Sequence, residues 1–141
     1  MRIARLFNHK VLVAIDVTGS VSAETAMKGI QLCYKLQDNG IDTKFCCWDG
    51  ACGPIKSQQT ENLSDELGLG GSFGGANPDC VFNALEERGE HFDKIVIVTD
   101  GYFELQSDRP TVKNRDKVIF LYHEDHMTHP GFEEYLLSEV N

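Results

Sequence analysis

The chain has 141 residues, of which 41% are hydrophobic and 25% are charged, and its formal net charge is −9. Length and composition exclude a disordered protein and indicate one globular domain, residues 1–141. The acidic charge disfavours nucleic acid and anionic membranes as partners, because both would repel a negative surface.

The first predicted elements are a strand and a helix. Val11–Asp16 is a continuous apolar run that ends on an acid, which is typical of a parallel strand buried on both faces. Ser22 then suits a helix N-cap, with Glu24 in the first turn, where the helix dipole favours an anion. Asn39-Gly40 is expected to end this helix.

A second strand is predicted from Thr43 to Trp48. Asp49-Gly50 follows it, and this dipeptide is favoured in tight hairpin turns. Residues around Ile55 are therefore predicted to form a short antiparallel return strand.

The second half of the chain again alternates between helices and strands. Asn77-Pro78 resembles an N-cap followed by proline at the first helical position. Ile95–Gly101 and Val118–Tyr122 are predicted to form buried strands. A final helix is expected to begin near Pro130, with its inner face formed by Phe132, Leu136 and Val140.

This alternation predicts an α/β fold. We expect a three-layer, Rossmann-like sandwich with a mostly parallel central sheet, helices on both faces and one short antiparallel strand. Ligands of such sheets bind outside the carboxyl ends of the strands. Two predicted strands end there on an aspartate, Asp16 and Asp100.

These strand ends predict a divalent-metal site. Asp16, Thr18 and Ser20 stand at positions i, i+2 and i+4 of a turn that leaves a strand, and Gly19 allows that turn to tighten. One carboxylate and two hydroxyls suit Mg²⁺, Mn²⁺ or Ca²⁺, and Asp100 adds a second carboxylate directly or through water. A helix-capping turn is the alternative interpretation of Asp16-x-Thr18-x-Ser20 alone.

Val13–Ser22 resembles the first metal-ion-dependent adhesion site (MIDAS) segment of von Willebrand factor A (VWA) domains, Asp-x-Ser-x-Ser after a hydrophobic strand. Val96–Gly101 is similar to the later strand that carries the family's second aspartate. Gly74-Gly75-Ala76-Asn77 occupies the place of the family's Gly-Gly-Thr loop. The pattern is also similar to VWA-like domains of bacterial and phage proteins associated with metallopeptidases.

The resemblance implies a VWA fold, a bound cation with Mg²⁺ first in order, and no enzymatic activity. It also implies a protein partner whose Asp or Glu completes the metal coordination. Thr18 keeps the hydroxyl of the usual serine, whereas Ala76 removes the family's threonine ligand. Ser72, Asn77 and Asp79 are the candidates to replace that ligand, although helix capping alone would also explain Asn77 and Asp79.

Two other functions remain open. Haloacid-dehalogenase-like phosphohydrolases also place an aspartate after a first parallel strand beside Mg²⁺, but they usually carry Asp-x-Asp where this chain has Asp16-Val17-Thr18. A degenerate VWA scaffold that binds no metal is the third hypothesis, and the missing threonine at Ala76 favours it.

The five cysteines are odd in number, and neither a signal peptide nor a membrane-spanning apolar run is apparent. We therefore expect a cytoplasmic protein with free thiols. Cys46, Cys47 and Cys52 lack a CxxC spacing and are interpreted as buried hydrophobic residues, with zinc binding as the alternative. The triplet His123, His126 and His129 is interpreted as a solvated loop, with incidental transition-metal binding as the alternative.

Overall fold

The computed structural model describes residues 10–18, 21–59 and 77–140. Its centre is a five-stranded sheet in the order β2-β1-β3-β4-β5, and all neighbouring strands run parallel. The strands are β1 (Val11–Asp16), β2 (Thr43–Trp48), β3 (Lys94–Thr99), β4 (Val118–Tyr122) and β5 (Glu133–Leu136).

Three α-helices and two short 3-10 turns accompany the sheet in the described ranges. The helices are α1 (Ala23–Asp38), α2 (Asp79–Arg88) and the one-turn α3 (Pro110–Lys113), and the 3-10 turns are Arg115–Lys117 and Leu137–Glu139. The predicted cap of α1 is confirmed, since the Ser22 hydroxyl accepts a hydrogen bond from the amide of Thr25 at 3.1 Å.

The sheet separates two hydrophobic cores, because successive side chains of a strand point to opposite faces. One core packs α1 against the sheet, and its helical members are Ala26, Ile30, Leu32, Cys33 and Leu36. The other packs α2 against the opposite face, and its helical members are Val81, Phe82 and Leu85. Helices therefore cover both faces, which confirms the predicted three-layer α/β class.

Gly29 explains how closely α1 approaches the sheet. A β-carbon placed at this residue would lie 2.9 Å from Ile15 Cγ1 and 3.5 Å from Val98 Cγ2. Glycine weakens a helix interior, but here it allows the helix backbone to lie directly over β1 and β3.

The predicted final helix at Pro130 is wrong, because this segment forms strand β5 and a 3-10 turn. β5 pairs with the edge of β4, from Ile119 opposite Glu133 to Tyr122 opposite Leu136. The helix was predicted from the spacing of four residues between Phe132, Leu136 and Val140. Residues separated by an even number also share one face of a strand, and Phe132 and Leu136 pack against the same core.

The predicted antiparallel return strand is present only as two isolated bridges. Phe45 pairs with Lys56 and Trp48 pairs with Cys52, both in antiparallel orientation. The segment after β2 thus folds back along that strand without forming a continuous ladder.

The order of the strands determines where a ligand would bind. β1 lies between β2 and β3. The connection after β1 therefore leads to a strand on one side of β1, and the connection after β2 leads to a strand on its other side. A crevice at the carboxyl ends of the strands is expected at such a switch point. Asp16 and Asp100 lie at these ends of β1 and β3.

Candidate functional site

Asp16, the last residue of β1, is 2% exposed, and hydrogen bonds hold both of its carboxylate oxygens. Oδ1 accepts from the amide and the hydroxyl of Thr18, at 2.9 and 2.6 Å. Oδ2 accepts from the hydroxyl of Thr99 at 2.6 Å. The carboxylate is therefore fixed in orientation. Oδ2, which accepts one hydrogen bond, keeps a lone pair for another ligand, whereas Oδ1 already accepts two.

The electrostatics of Asp16 disfavour its charged form. Burial raises the pKa of this carboxyl above its ordinary value, the hydrogen bonds from Thr18 and Thr99 oppose the shift, and the charge of Asp100 adds to it. Among the residues that the structure describes, no Lys or Arg forms an ion pair with Asp16, and the charge that acts on it is that of Asp100. Buried acids with perturbed pKa values and no counter-ion are typical of functional sites.

Asp100 follows β3 directly and is 5% exposed. Its Oδ1 accepts a hydrogen bond from the amide of Tyr102 at 3.1 Å, and its carbonyl accepts one from the amide of Met127 at 2.9 Å. Gly101 has a φ of 75° and donates its amide to Thr99 Oγ1 at 3.0 Å. The Thr99 hydroxyl therefore connects Asp16 to the turn that carries Asp100.

Two residues of this edge, Thr99 and Asp49, were not predicted from the sequence. Asp49 follows β2, is 2% exposed, and accepts hydrogen bonds at Oδ1 from the amides of Gly50 and Ala51. Three adjacent strands thus end on a buried aspartate. The available signal was an acid after a buried run, but Asp49-Gly50 was interpreted only as a turn.

Asn77 and Asp79 make contacts at the start of α2. Asn77 Oδ1 accepts from the amide of Asp79 at 2.9 Å, as in an Asx turn. The N-cap of α2 is Pro78 and not Asn77 as predicted, and it makes no side-chain capping bond. Asp79 Oδ1 accepts from the amide and hydroxyl of Thr111, at 3.0 and 2.7 Å, and so ties α2 to α3. These bonds give both residues a structural role. Ser20 and Ser72 lie outside the described residues, as does Ala76.

The described donors suit a hard cation but do not complete its shell. Within residues 10–18, 21–59 and 77–140, no group of three or more His, Cys, Asp or Glu is placed to hold a metal ion. The donors proposed from the sequence at this edge are the buried carboxylates of Asp16 and Asp100 and the hydroxyl of Thr18, whereas the third buried carboxylate, that of Asp49, accepts from its own turn. These oxygen donors match the chemistry of Mg²⁺ or Mn²⁺, with water or a partner supplying the remaining ligands.

The histidine triplet does not form one solvated loop. His123 is exposed, but His129 is buried and stacks on Phe103 at a centroid distance of 4.8 Å. A ring nitrogen of His129, Nε2, lies 2.8 Å from the carbonyl oxygen of Gly101. The aromatic contact explains why this histidine departs from the surface position expected for it.

Comparisons with known proteins support the fold. No protein-family model and no curated protein matches the chain. Among solved structures, it resembles an aerotolerance-related membrane protein from Bacteroides fragilis NCTC 9343 with multiple mutations to serines. The TM-score is 0.50 and the identity 16%, over 82% of this chain and 67% of that one.

At this identity the likeness concerns the fold alone. The parallel sheet covered on both faces, together with this structural neighbour, fits the VWA-like sandwich expected from the sequence. As for membrane spans, none of the helices in the described parts of the chain combines the length and apolarity that crossing a bilayer requires.

Proposed function

We propose that this domain is a metal-dependent protein-interaction module, in which a divalent cation binds at Asp16 and Asp100. The supporting observation is the pair of buried carboxylates at adjacent strand ends. Burial raises the pKa of Asp16, and the charge of Asp100 adds a smaller contribution. A bound cation would offset the repulsion between the two carboxylates and supply a counter-charge that the neighbouring side chains of the described residues do not provide.

Asp16, Thr18 and Asp100 are the proposed ligands among the described residues, and Ser20, Ser72, Asn77 and Asp79 remain candidates from the sequence. Mg²⁺ is the first choice, with Mn²⁺ and Ca²⁺ as alternatives, because hard oxygen donors serve all three. The cation supplies an open coordination position for an Asp or Glu of the partner. Such binding explains why few protein ligands are needed.

We propose a binding role rather than a catalytic one. The residue two places after Asp16 is Thr18, whose hydroxyl donates to the Asp16 carboxylate at 2.6 Å. A threonine cannot act there as the general acid that the usual Asp-x-Asp of a phosphohydrolase supplies. The odd number of cysteines, five, favours the cytosol as the place of action.

A displayed library of random peptides tests this proposal without a known partner. Peptides are selected on the immobilised protein in Mg²⁺ and eluted with EDTA. We expect the eluted pool to be enriched in Asp or Glu at one position, since the cation selects a carboxylate. Changing that acid to its amide should weaken binding at least tenfold.

Two variants provide the comparison. Asp16→Asn should lose the EDTA-sensitive peptides, whereas Asp93→Asn, the same change at the amino end of β3, should retain them. A pool without enriched acids, or one that binds Asp16→Asn as well as the wild type, would contradict the proposed function.

A further inference from the structure

Two cysteine sulfurs lie close together beside β2. Cys46 Sγ and Cys52 Sγ are 3.7 Å apart, within hydrogen-bond range for two thiols. Cys46 is fully buried within the strand, whereas Cys52 is partly exposed in the segment that folds back along it. The bridge between Trp48 and Cys52 holds this segment against the strand.

Arg88, at the end of α2, fixes the backbone on which Cys52 sits. Its Nη2 donates to the carbonyl of Cys52 and its Nη1 to the carbonyl of Gly53, both at 2.9 Å. The guanidinium therefore restrains the backbone at both Cys52 and Gly53. It also places a positive charge near the Cys52 sulfur.

The two thiols differ in acidity. A hydrogen bond with Cys46 and the charge of Arg88 lower the pKa of Cys52 against the effect of burial. The hydrogen bond and charge of Cys52, together with full burial, raise the pKa of Cys46. The partly exposed residue, Cys52, is thus the one whose thiol more readily becomes a thiolate, which is the nucleophilic form of cysteine.

We propose that Cys52 and Cys46 form a peroxide-reactive thiol pair, with Cys52 as the attacking sulfur and Cys46 as the resolving thiol. The Cys52 thiolate attacks one oxygen of hydrogen peroxide, the O–O bond breaks, and the hydroxide released is protonated to water. Cys52 is left as a sulfenic acid.

Cys46 then attacks the Cys52 sulfur, and the S–O bond breaks. The hydroxyl leaves with the thiol proton as a second water, and a disulfide forms. The two thiols together lose two electrons and two protons to one peroxide. The sulfurs must move from 3.7 Å to the roughly 2.05 Å of a disulfide. Because Arg88 and the bridge to Trp48 hold the Cys52 backbone, rotation of the Cys52 side chain about its Cα–Cβ bond has to supply most of this movement. This reaction does not depend on the proposed metal site.

Mass spectrometry of the full chain tests the pair. The reduced protein is treated with hydrogen peroxide, alkylated with N-ethylmaleimide, and digested without reduction. We expect a crosslinked peptide joining Cys46 to Cys52, the loss of two alkylatable thiols of the five, and complete reversal by dithiothreitol.

Single replacements separate the roles of the two sulfurs. Cys52→Ser should prevent crosslinking and leave Cys46 reduced, whereas Cys46→Ala should accumulate a Cys52 sulfenic acid that dimedone traps. Cys80→Ser and Cys33→Ser should crosslink like the wild type. Circular dichroism verifies that each variant is folded, and the wild-type crosslink tests the pair even if Cys46→Ala does not fold.

The pH dependence of alkylation provides an independent readout. Burial raises the pKa of Cys33 to about 12, so this thiol should react slowly at neutral pH. Cys52 should react at least tenfold faster than Cys33 at pH 7 and reach its plateau rate at lower pH. Equal rates, a peroxide product without the Cys46–Cys52 link, or a link that requires Cys80 would overturn the proposal.

Discussion

The Asp16→Asn variant is expected to be more stable than the wild type in metal-free buffer at neutral pH, by about 1 kcal/mol or more. The wild-type carboxyl is 2% exposed and lacks a cationic partner among the described residues, so its ionised form opposes folding. Asparagine preserves the shape and can still accept from Thr18 while removing the charge and its repulsion with Asp100. Its NH2 group cannot accept from the Thr99 hydroxyl as Oδ2 does, and this lost hydrogen bond offsets part of the gain.

The effect should depend on pH in a defined direction. Because the folded-state pKa of Asp16 is raised, the folded state binds its proton more tightly than the unfolded state does. Wild-type stability from this group is therefore lost as pH rises through the folded-state pKa. The stability of Asp16→Asn relative to the wild type should therefore increase as pH rises from the ordinary pKa of 3.8 through the folded-state pKa of Asp16. Below pH 3.8 the difference should vanish.

Urea unfolding with and without Mg²⁺ measures both effects. Mg²⁺ at 100 times its Kd should stabilise the wild type by about 2.7 kcal/mol and leave Asp16→Asn unchanged, which reverses the order of the two proteins. Asp93→Asn serves as the matched control and should respond to Mg²⁺ like the wild type. A variant less stable than the wild type in metal-free buffer would contradict this account of Asp16.

The Gly101→Ala variant is expected to lose about 3 kcal/mol of stability or more. Gly101 has a φ of 75°, and a β-carbon there would lie 2.2 Å from the carbonyl oxygen of Met127. The left-handed backbone alone costs a larger residue about 1–2 kcal/mol. The clash adds to this cost, because the contacting atom belongs to the backbone that also donates its amide to Asp100.

Gly89→Ala separates the two contributions. Gly89 ends α2 with a φ of 64°, but a β-carbon there would meet nothing within 4 Å. We expect this control to lose only about 1 kcal/mol in thermal or urea unfolding. Equal losses in the two variants would show that the packing of Met127 against the Asp100 turn contributes little.

The strands β1 to β4 and the helices α1 and α2 could be predicted because each carries a strong local signal. Val11–Asp16 is an uninterrupted apolar run, and Ser22 and Asn39-Gly40 mark the ends of α1. β5 could not be predicted in the same way. Its residues Glu133–Leu136 are only partly buried, and pairing with β4 makes this segment a strand.

The part of the candidate site that could be predicted is the part that follows from the strand order, because a parallel sheet brings the ends of its strands together. Parallel neighbours place Asp16 and Asp100 at one edge, as expected. The role of Thr99 depends on a hydrogen bond between strands, which a linear pattern does not contain. Asp79 contacts Thr111 on α3, a helix that the sequence analysis did not predict. Such contacts depend on tertiary packing and not on local spacing.

Diffraction from crystals grown with Mn²⁺, measured at the manganese absorption edge, tests the central claim most directly. We predict an anomalous peak within coordination distance of the Asp16 carboxylate and on the side that faces Asp100. Crystals of Asp16→Asn grown in the same solution should lack that peak. A wild-type crystal grown in saturating Mn²⁺ with no peak between these two aspartates would contradict the proposed metal site.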